Sequence, residues 1–412
     1  MKIPSDPMPK APARGLSFRE EWLAKLHAEQ RRESGEASPF SRVIASYSSQ
    51  ALVGNFKAIS DQLPDQFVMP MIKANGYGHG MSWSGKLLAN QPKLYGFGVA
   101  TLEEGALLRE SLGLRNRKLR IVVFSNANPW SEEKGRFCEE HGLTPVIGTD
   151  ADWQIFLRDK WNERIPYELK FNTGMNRLGL SMSSLSSVAK VLRKTEASRH
   201  PSGIFSHLAM GESPESRLSR QQLERFVEIR SALSSLAPQA QFHLANSSGI
   251  WNHKGFGLKG LTDVIRPGLA LYGVPPWKGA PERGIFPVMH LSAQVVAVHR
   301  LKRGESVGYG ATFTVTGTDA RSVAVLAAGY ADGVPRALSN RGFVWLDGAA
   351  ERFAGNVSMD LCAVTCSAKA KVGSAAEIMG RNVDAWAQAE AAGTIPYELL
   401  TSISSRVQRY YA

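Results

Sequence analysis

Phe67-Val68-Met69-Pro70-Met71-Ile72-Lys73-Ala74-Asn75-Gly76-Tyr77-Gly78-His79-Gly80 is the stretch on which the reading of the whole chain turns. An apolar, strand-like run from Phe67 to Ile72 delivers one lysine into a loop crowded with glycine. A lysine at the end of a buried strand is partly desolvated, which lowers its pKa and frees its amine to attack a carbonyl carbon. Taken alone, such a lysine is more often a solvated loop residue. The neighbouring pattern has to decide.

Working outward from Lys73, apolar runs alternate with longer helical stretches, the signature of a parallel α/β sheet. Strand-like runs begin at Gln66, Tyr95, Leu119, Leu143, Tyr167, Gly203, Gln241 and Val264. Helical patterns lie between them at Leu102 to Arg109, Ser131 to His141, Asp152 to Glu163, Ser184 to Lys194 and Arg220 to Leu236. Eight strands with interleaved crossovers over about 250 residues predict a (β/α)8 TIM-like barrel. A doubly wound open sheet is disfavoured because no Gly-rich dinucleotide loop follows the first strand. The reading therefore places an N-terminal extension, helical or disordered, at 1–42, where Ser17-Phe18-Arg19-Glu20 has capping-box spacing. The barrel follows at 43–284, and a second, mainly β domain at 285–412, where the rhythm changes to short runs such as Met289 to Arg300, Ser322 to Ala328 and Leu361 to Thr365.

The 412 residues are 43% hydrophobic and 21% charged, ordinary values for a globular protein long enough for two cores. No apolar run approaches the length of a membrane span, and the proline-rich start lacks the apolar segment of a secretory signal, so a cytoplasmic protein without a membrane partner is expected. The net charge of +12 is spread along the chain without a long basic run, which argues against nucleic acid as partner and leaves a positive field for small anions. Cys138, Cys362 and Cys366 are too few for a disulfide framework and lack the His/Cys company of a zinc site, so no metal is expected.

Barrel enzymes carry their chemistry at the C-terminal ends of the strands. Lys73 and Tyr77 follow the first strand, Arg177 the fifth and His207 the sixth; Asn246 and Ser247 end the seventh, and Arg266 with Gly268 lies at the eighth. A lysine able to form a Schiff base, with Ser247, Tyr77 and the exposed backbone at Gly268 able to hold a phosphate, points to pyridoxal 5'-phosphate as cofactor.

With those residues in place, the chain resembles the alanine racemases from about Arg42 to Val407. Ile72-Lys73-Ala74-Asn75-Gly76-Tyr77-Gly78-His79-Gly80 is similar to the family's cofactor-lysine signature. Lys170 to Gly179, Ser206-His207-Leu208-Ala209, His243-Leu244-Ala245-Asn246-Ser247, Arg266 to Gly273, Gly308-Tyr309-Gly310-Ala311-Thr312, Gly329 to Gly333 and Val357-Ser358-Met359-Asp360 follow in the family's order. The resemblance implies a two-base interconversion of L- and D-alanine, a small-molecule reaction supplying D-alanine for peptidoglycan. Lys73 would serve one face of the substrate, and Tyr309, lent by the other subunit of a homodimer, the opposite face. It further implies His207 and Arg266 as a network supporting Tyr309 and the pyridine nitrogen. Tyr77, Asn246, Ser247, Gly268 and Leu269 would bind the cofactor. Arg177, Met359 and Asp360 would be at the substrate, and Lys170 would be open to carbamylation.

Ser405 stands where many family members carry a tyrosine, Asn172 and Asn176 replace the more usual Asp and Gly, and Val334 replaces an aromatic residue. Because an apolar pocket discriminates by only about 1–3 kcal/mol per methylene, these departures keep a broader amino-acid racemase open, for serine among others. A non-catalytic pyridoxal-phosphate binder is the third reading; the presence of the second domain and of Tyr309 weighs against it.

Overall fold

A computed structural model describes residues 41–125, 127–317 and 320–412; the predicted N-terminal extension lies almost wholly outside them. Six parallel strands form one continuous sheet: β3 (Gly96–Val99), β4 (Arg120–Val123), β5 (Thr144–Ile147), β6 (Glu168–Lys170), β7 (Gly203–Phe205) and β8 (Gln241–His243). Two more, β2 (Phe67–Val68) and β9 (Val264–Ile265), pair in parallel. Backbone hydrogen bonds join the two sheets at both seams. On one side Tyr95 N donates to Val68 O at 2.8 Å and Ile72 N to Gly98 O at 2.9 Å; on the other Asp263 N donates to Phe242 O at 2.6 Å and Arg266 N to Ala245 O at 3.0 Å. The ring is closed, and every predicted barrel strand is in it. Its interior is filled by Met69, Val122, Val146, Phe205 and Val264, so the barrel is a packed core.

The outer helices start where the sequence offers an oxygen to cap them. Thr101 and Glu104 form a reciprocal capping box at Leu102–Leu112, and Ser131, Thr149 and Ser216 cap Glu132–His141, Asp150–Arg158 and Arg217–Leu233. The helix expected over Asp152 to Glu163 breaks at Lys160, which turns left-handed (φ 55°) before a short turn at Trp161–Glu163.

One segment departs from the expected division. Residues 43–47, assigned by the sequence reading to the barrel, form β1 (Val43–Tyr47) in the C-terminal sheet. There β1 runs antiparallel to β10 (Met289–Leu301) and parallel to β18 (Gln408–Tyr411). Its burial alternates, Val43, Ala45 and Tyr47 inward, whereas β3 and β5 are buried at every residue. Alternation is the mark of a sheet with one wet face, not of a barrel strand covered on both sides. In the second domain the long β10 joins β1, β17 (Ala375–Met379) and β13 (Arg321–Leu326), changing partners through register shifts near Val295. The remaining strands include β14 (Phe343–Leu346), β15 (Ala349–Arg352) and β16 (Cys362–Cys366).

The second domain abuts the lysine loop. The Tyr47 hydroxyl donates to Gly78 O at 3.0 Å, Tyr411 stacks on Tyr47, and His79 stacks on Tyr272 at 4.3 Å. Gly78 has φ 81°, and a Cβ there would fall 2.0 Å from Leu400 O. Gly78→Ala is therefore expected to cost about 1–3 kcal/mol or more from overlap and a left-handed backbone. Gly348→Ala, at φ 85° with open space around it, is the control and should cost only about 1 kcal/mol. Urea midpoints of both variants check this; equal losses would show that contact with Leu400 is not the constraint.

Candidate active site

Lys73 opens a turn, Lys73–Tyr77, whose next residues are left-handed: Ala74, Asn75, Gly76 and Tyr77 all have φ between 50° and 64°. Three are not glycine, an uncommon and costly run that needs outside support. Glu104 supplies part of it, its carboxylate accepting from Ala74 N and Ala100 N at 2.7 Å each. Asn75 Oδ1 accepts from Met81 N at 2.8 Å and anchors the far side. The same acid that caps a barrel helix thus fixes the loop presenting Lys73.

Lys73 borders a cavity of about 360 Å³ at the C-terminal end of the barrel strands. Tyr77, Lys170, Arg177, His207, Asn246, Ser247, Arg266, Gly268 and Leu269, all singled out from sequence, line the same cavity. Lys73, Lys170, Arg177 and Arg266 are the basic residues here, and neighbouring positive charge adds to burial in lowering the pKa of the two lysines. Burial, then Arg177, lowers the Lys73 pKa, with Glu104 working the other way. Burial, then Arg177, Arg266 and Lys73, pushes Lys170 down to about 8. His207 is held well below its usual value by burial and by Arg266, so it is neutral.

Arg266, 2% exposed, is fixed on several sides. Its Nη2 donates to Ser206 O at 2.7 Å and Leu244 O at 3.1 Å and approaches His207 Nδ1 at 3.3 Å, while Nη1 meets His243 Nδ1 at 2.6 Å. A guanidinium only donates, so His207 Nδ1 is an acceptor and its proton sits on Nε2. Asn246 cannot take that proton. Its Oδ1 is committed to Gly249 N at 3.0 Å, which turns Nδ2, another donor, toward Nε2 at 3.5 Å. His207 Nε2–H is therefore available to an acceptor arriving in the cavity.

At the opposite side, Ser247 Oγ accepts from Gly268 N at 3.0 Å and Ala270 N at 3.4 Å. A Cβ on Gly268 would lie 2.5 Å from the Tyr77 hydroxyl, so only glycine leaves this corner open. Burial raises the Tyr77 pKa, keeping the phenol a donor. Hydroxyls from Tyr77 and Ser247 with the backbone at Gly268 and Leu269 make a cradle that fits a phosphate, and Lys73 lies within the same cavity to meet an aldehyde.

Tyr309, Met359 and Asp360 are not brought to this cavity within one chain. Tyr309 is 76% and Met359 52% exposed on the second domain; Tyr309 borders a separate apolar groove of about 560 Å³, and Asp360 pairs with Arg406 at 2.8 Å. Ser405 is exposed and does not border the cavity. Tyr397, from the second-domain helix Pro396–Thr401, does border it, packed against Tyr77 with ring centres 5.9 Å apart. Tyr397 and Glu104 were not anticipated from sequence. For Glu104 the signal was the capping box itself; for Tyr397 there was none, because its contact joins residues far apart in the chain.

Comparison with known proteins identifies the family. Residues 47–276 match the N-terminal domain of alanine racemases, and residues 288–411 the C-terminal domain. The chain belongs to the alanine racemase family. Among related racemases, that of Coxiella burnetii (strain CbuK_Q154) is 31% identical over 376 residues, spanning 89% of this chain and 98% of the relative. The alanine racemase of Lawsonia intracellularis is 32% identical over 369 residues, 86% of this chain and 93% of the relative. In structure, the biosynthetic alanine racemase of Pseudomonas aeruginosa superposes with a TM-score of 0.79 at 30% identity, covering 90% of this chain and 100% of that one. The Bartonella henselae alanine racemase, crystallised with covalently bound pyridoxal phosphate, gives 0.78 at 29%, with 90% and 100% covered.

The Lys170 environment makes a direct prediction for the free amine. The folded chain releases this proton near pH 8 and the unfolded chain near 10.5, so the penalty for burying the ammonium is full below about pH 8 and is relieved as pH climbs toward 10.5. In carbon dioxide-free buffer, the stability of Lys170→Met relative to wild type should be most favourable at neutral pH and decline through that window. A difference that does not vary with pH would show that Lys170 does not titrate there.

Proposed function

We propose that this chain is an alanine racemase that uses pyridoxal 5'-phosphate, acts as a homodimer in the cytoplasm and supplies D-alanine for peptidoglycan. The observation that carries the reading is a lysine of lowered basicity at a cation-lined cavity with a glycine-bounded phosphate corner, in a chain of this family. When bound, pyridoxal phosphate supplies the electron sink that makes the substrate Cα–H acidic.

The residues of the chain divide the remaining work. Tyr77, Ser247 and the Gly268–Leu269 backbone hold the phosphate. Arg177, with the backbone N–H of Met359 from a second copy, receives the substrate carboxylate; Asp360, an acceptor only and paired with Arg406, stands beside Met359. Lys73, freed as an amine, removes or returns the Cα proton on one face; its depressed pKa keeps that amine unprotonated at lower pH. Tyr309 of a second copy serves the other face, and the available Nε2–H of His207 stabilises its phenolate oxygen. With the cofactor bound, Arg266 would face its pyridine nitrogen and, being a poor acid, would leave that nitrogen unprotonated. Support for the second copy is the exposure of Tyr309 beside an apolar groove, on a face that leaves it idle in a single chain. Among the described residues no helix is long and apolar enough to cross a membrane.

Lys170 is proposed to carry a carbamate. Its neutral amine adds carbon dioxide, forming the N–C bond and releasing a proton, and the resulting anion sits among Arg177, Arg266 and Lys73. A carbon-13 NMR spectrum of the folded protein equilibrated with labelled bicarbonate that shows no carbamate carbon beyond that of Lys170→Met would exclude it.

Chiral chromatography of products from a panel of L-amino acids tests the activity. D-alanine is expected to form far faster than any other D-enantiomer; comparable turnover of several substrates would favour the broader racemase, and no turnover would refute both. Lys73→Ala and Tyr309→Phe should each be inactive as pure proteins. Refolded as a mixture they should regain about a quarter of wild-type activity, since half the dimers are mixed and each mixed dimer carries one intact site. No recovery would exclude a shared site.

A further inference from the structure

One layer below the cavity the barrel interior holds a carboxylate that the mechanism above does not use. Glu168 and Lys170 lie two residues apart on β6 and so face the same way, Lys170 at the cavity and Glu168 deeper, with no exposed surface. Space for the carboxylate is left by Gly203, its partner on β7, where a Cβ would come 2.6 Å from Glu168 Cδ. Glu168 Oε1 accepts from the Tyr95 hydroxyl at 3.2 Å, and Oε2 lies 3.2 Å from His243 Nε2. His243 is equally buried and stacks on Phe205 at 4.5 Å with planes 9° apart. Its other nitrogen, Nδ1, is 2.6 Å from Arg266 Nη1.

Donor rules order this row. Arg266 can only donate, so His243 Nδ1 carries no proton; a neutral ring then carries it on Nε2, facing the carboxylate. Burial favours the neutral ring. Burial would raise the Glu168 pKa, but His243, Arg120 and Tyr95 outweigh it and keep the group ionised. Lys73, Lys170 and Arg177 all crowd the cavity side, so Glu168 is the anion placed to answer the charge of Arg266, one imidazole away.

We propose that Glu168 is a positioning residue for Arg266, acting through His243: it holds the Nε2 end of the imidazole and places a buried negative charge behind the guanidinium, so that Arg266 presents one orientation to the cofactor's pyridine nitrogen. This rests on the pyridoxal-phosphate racemase reading above. The alternative is an ion pair that serves stability alone.

The test compares Glu168→Gln, which keeps an acceptor for Nε2–H, with Glu168→Leu, which removes it, both loaded with pyridoxal phosphate. Nitrogen NMR of histidine-labelled protein reports the His243 tautomer, and steady-state kinetics separate kcat from KM. Glu168→Leu is expected to shift the Nε2–H nitrogen signal as the facing carboxylate is removed, and to lower kcat by about tenfold or more, the scale of a hydrogen bond to a charged group, with KM for alanine within about twofold. Glu168→Gln should restore the signal and most of kcat. Wild-type kcat in Glu168→Leu, or a loss confined to melting temperature, overturns the proposal. If Glu168→Leu does not fold, Glu168→Asp keeps the charge but withdraws it from His243; unchanged kcat and Nε2 signal in that variant overturn the proposal equally. The NMR measurement does not depend on turnover. A wild-type protein with the Nε2–H signature that racemises nothing would therefore fail the functional reading and not the order of the row.

Discussion

Positive charge gathered at one end of a barrel is what the rest of this structure answers to. Lys73, Lys170, Arg177 and Arg266 border one cavity; besides burial, Arg177 lowers the basicity of Lys73, and Arg177, Arg266 and Lys73 lower that of Lys170. The scaffold meets this with fixed dipoles and neutral rings: carbonyls of Ser206 and Leu244 on Arg266, a neutral His207, and capping hydroxyls at Tyr77 and Ser247. A ligand bearing a phosphate and a carboxylate brings the missing negative charge. Binding and folding are then coupled, because whatever binds the folded state alone also stabilises it.

The lysine loop shows how such a site is kept open. Its left-handed run would relax in isolation, so it is held from two directions, by the Glu104 carboxylate from within the barrel and by Tyr47 and Leu400 from the second domain. Loop geometry and domain packing are therefore one problem, and the glycine at position 78 is where they meet.

Much of this was legible in the chain. Barrel strands such as β3 and β5 stand out because they are buried at every residue and read as continuous runs, and the polar residues at the strand ends line one cavity. What escaped had physical reasons. Val43 to Tyr47 alternates, which is correct for the wet-faced sheet it joins, but its partners lie more than two hundred residues away. Asp347-Gly348, both left-handed, is a two-residue hairpin signal between β14 and β15 that could have been read locally. Glu168 was visible as the residue two before Lys170, on the same strand face, yet its partner His243 depends on the curvature of the closed ring. Tyr309 is the limiting case, exposed on the second domain and away from the cavity within one chain.

The placement of β1 carries a consequence for how the protein is made. As synthesis proceeds, Val43 to Tyr47 emerges first, but its antiparallel neighbour β10 and its parallel neighbour β18 emerge only after the whole barrel. The second domain is thus interrupted, and the barrel is an insertion whose closure brings Ser48 N to Val288 O at 2.9 Å and the interrupted halves together. Nascent β1 is an edge strand with both edges unpaired, exposed to stray strand pairing for as long as the barrel takes to fold. The speed of barrel folding, a matter of residues remote from β1, sets how long that hazard lasts.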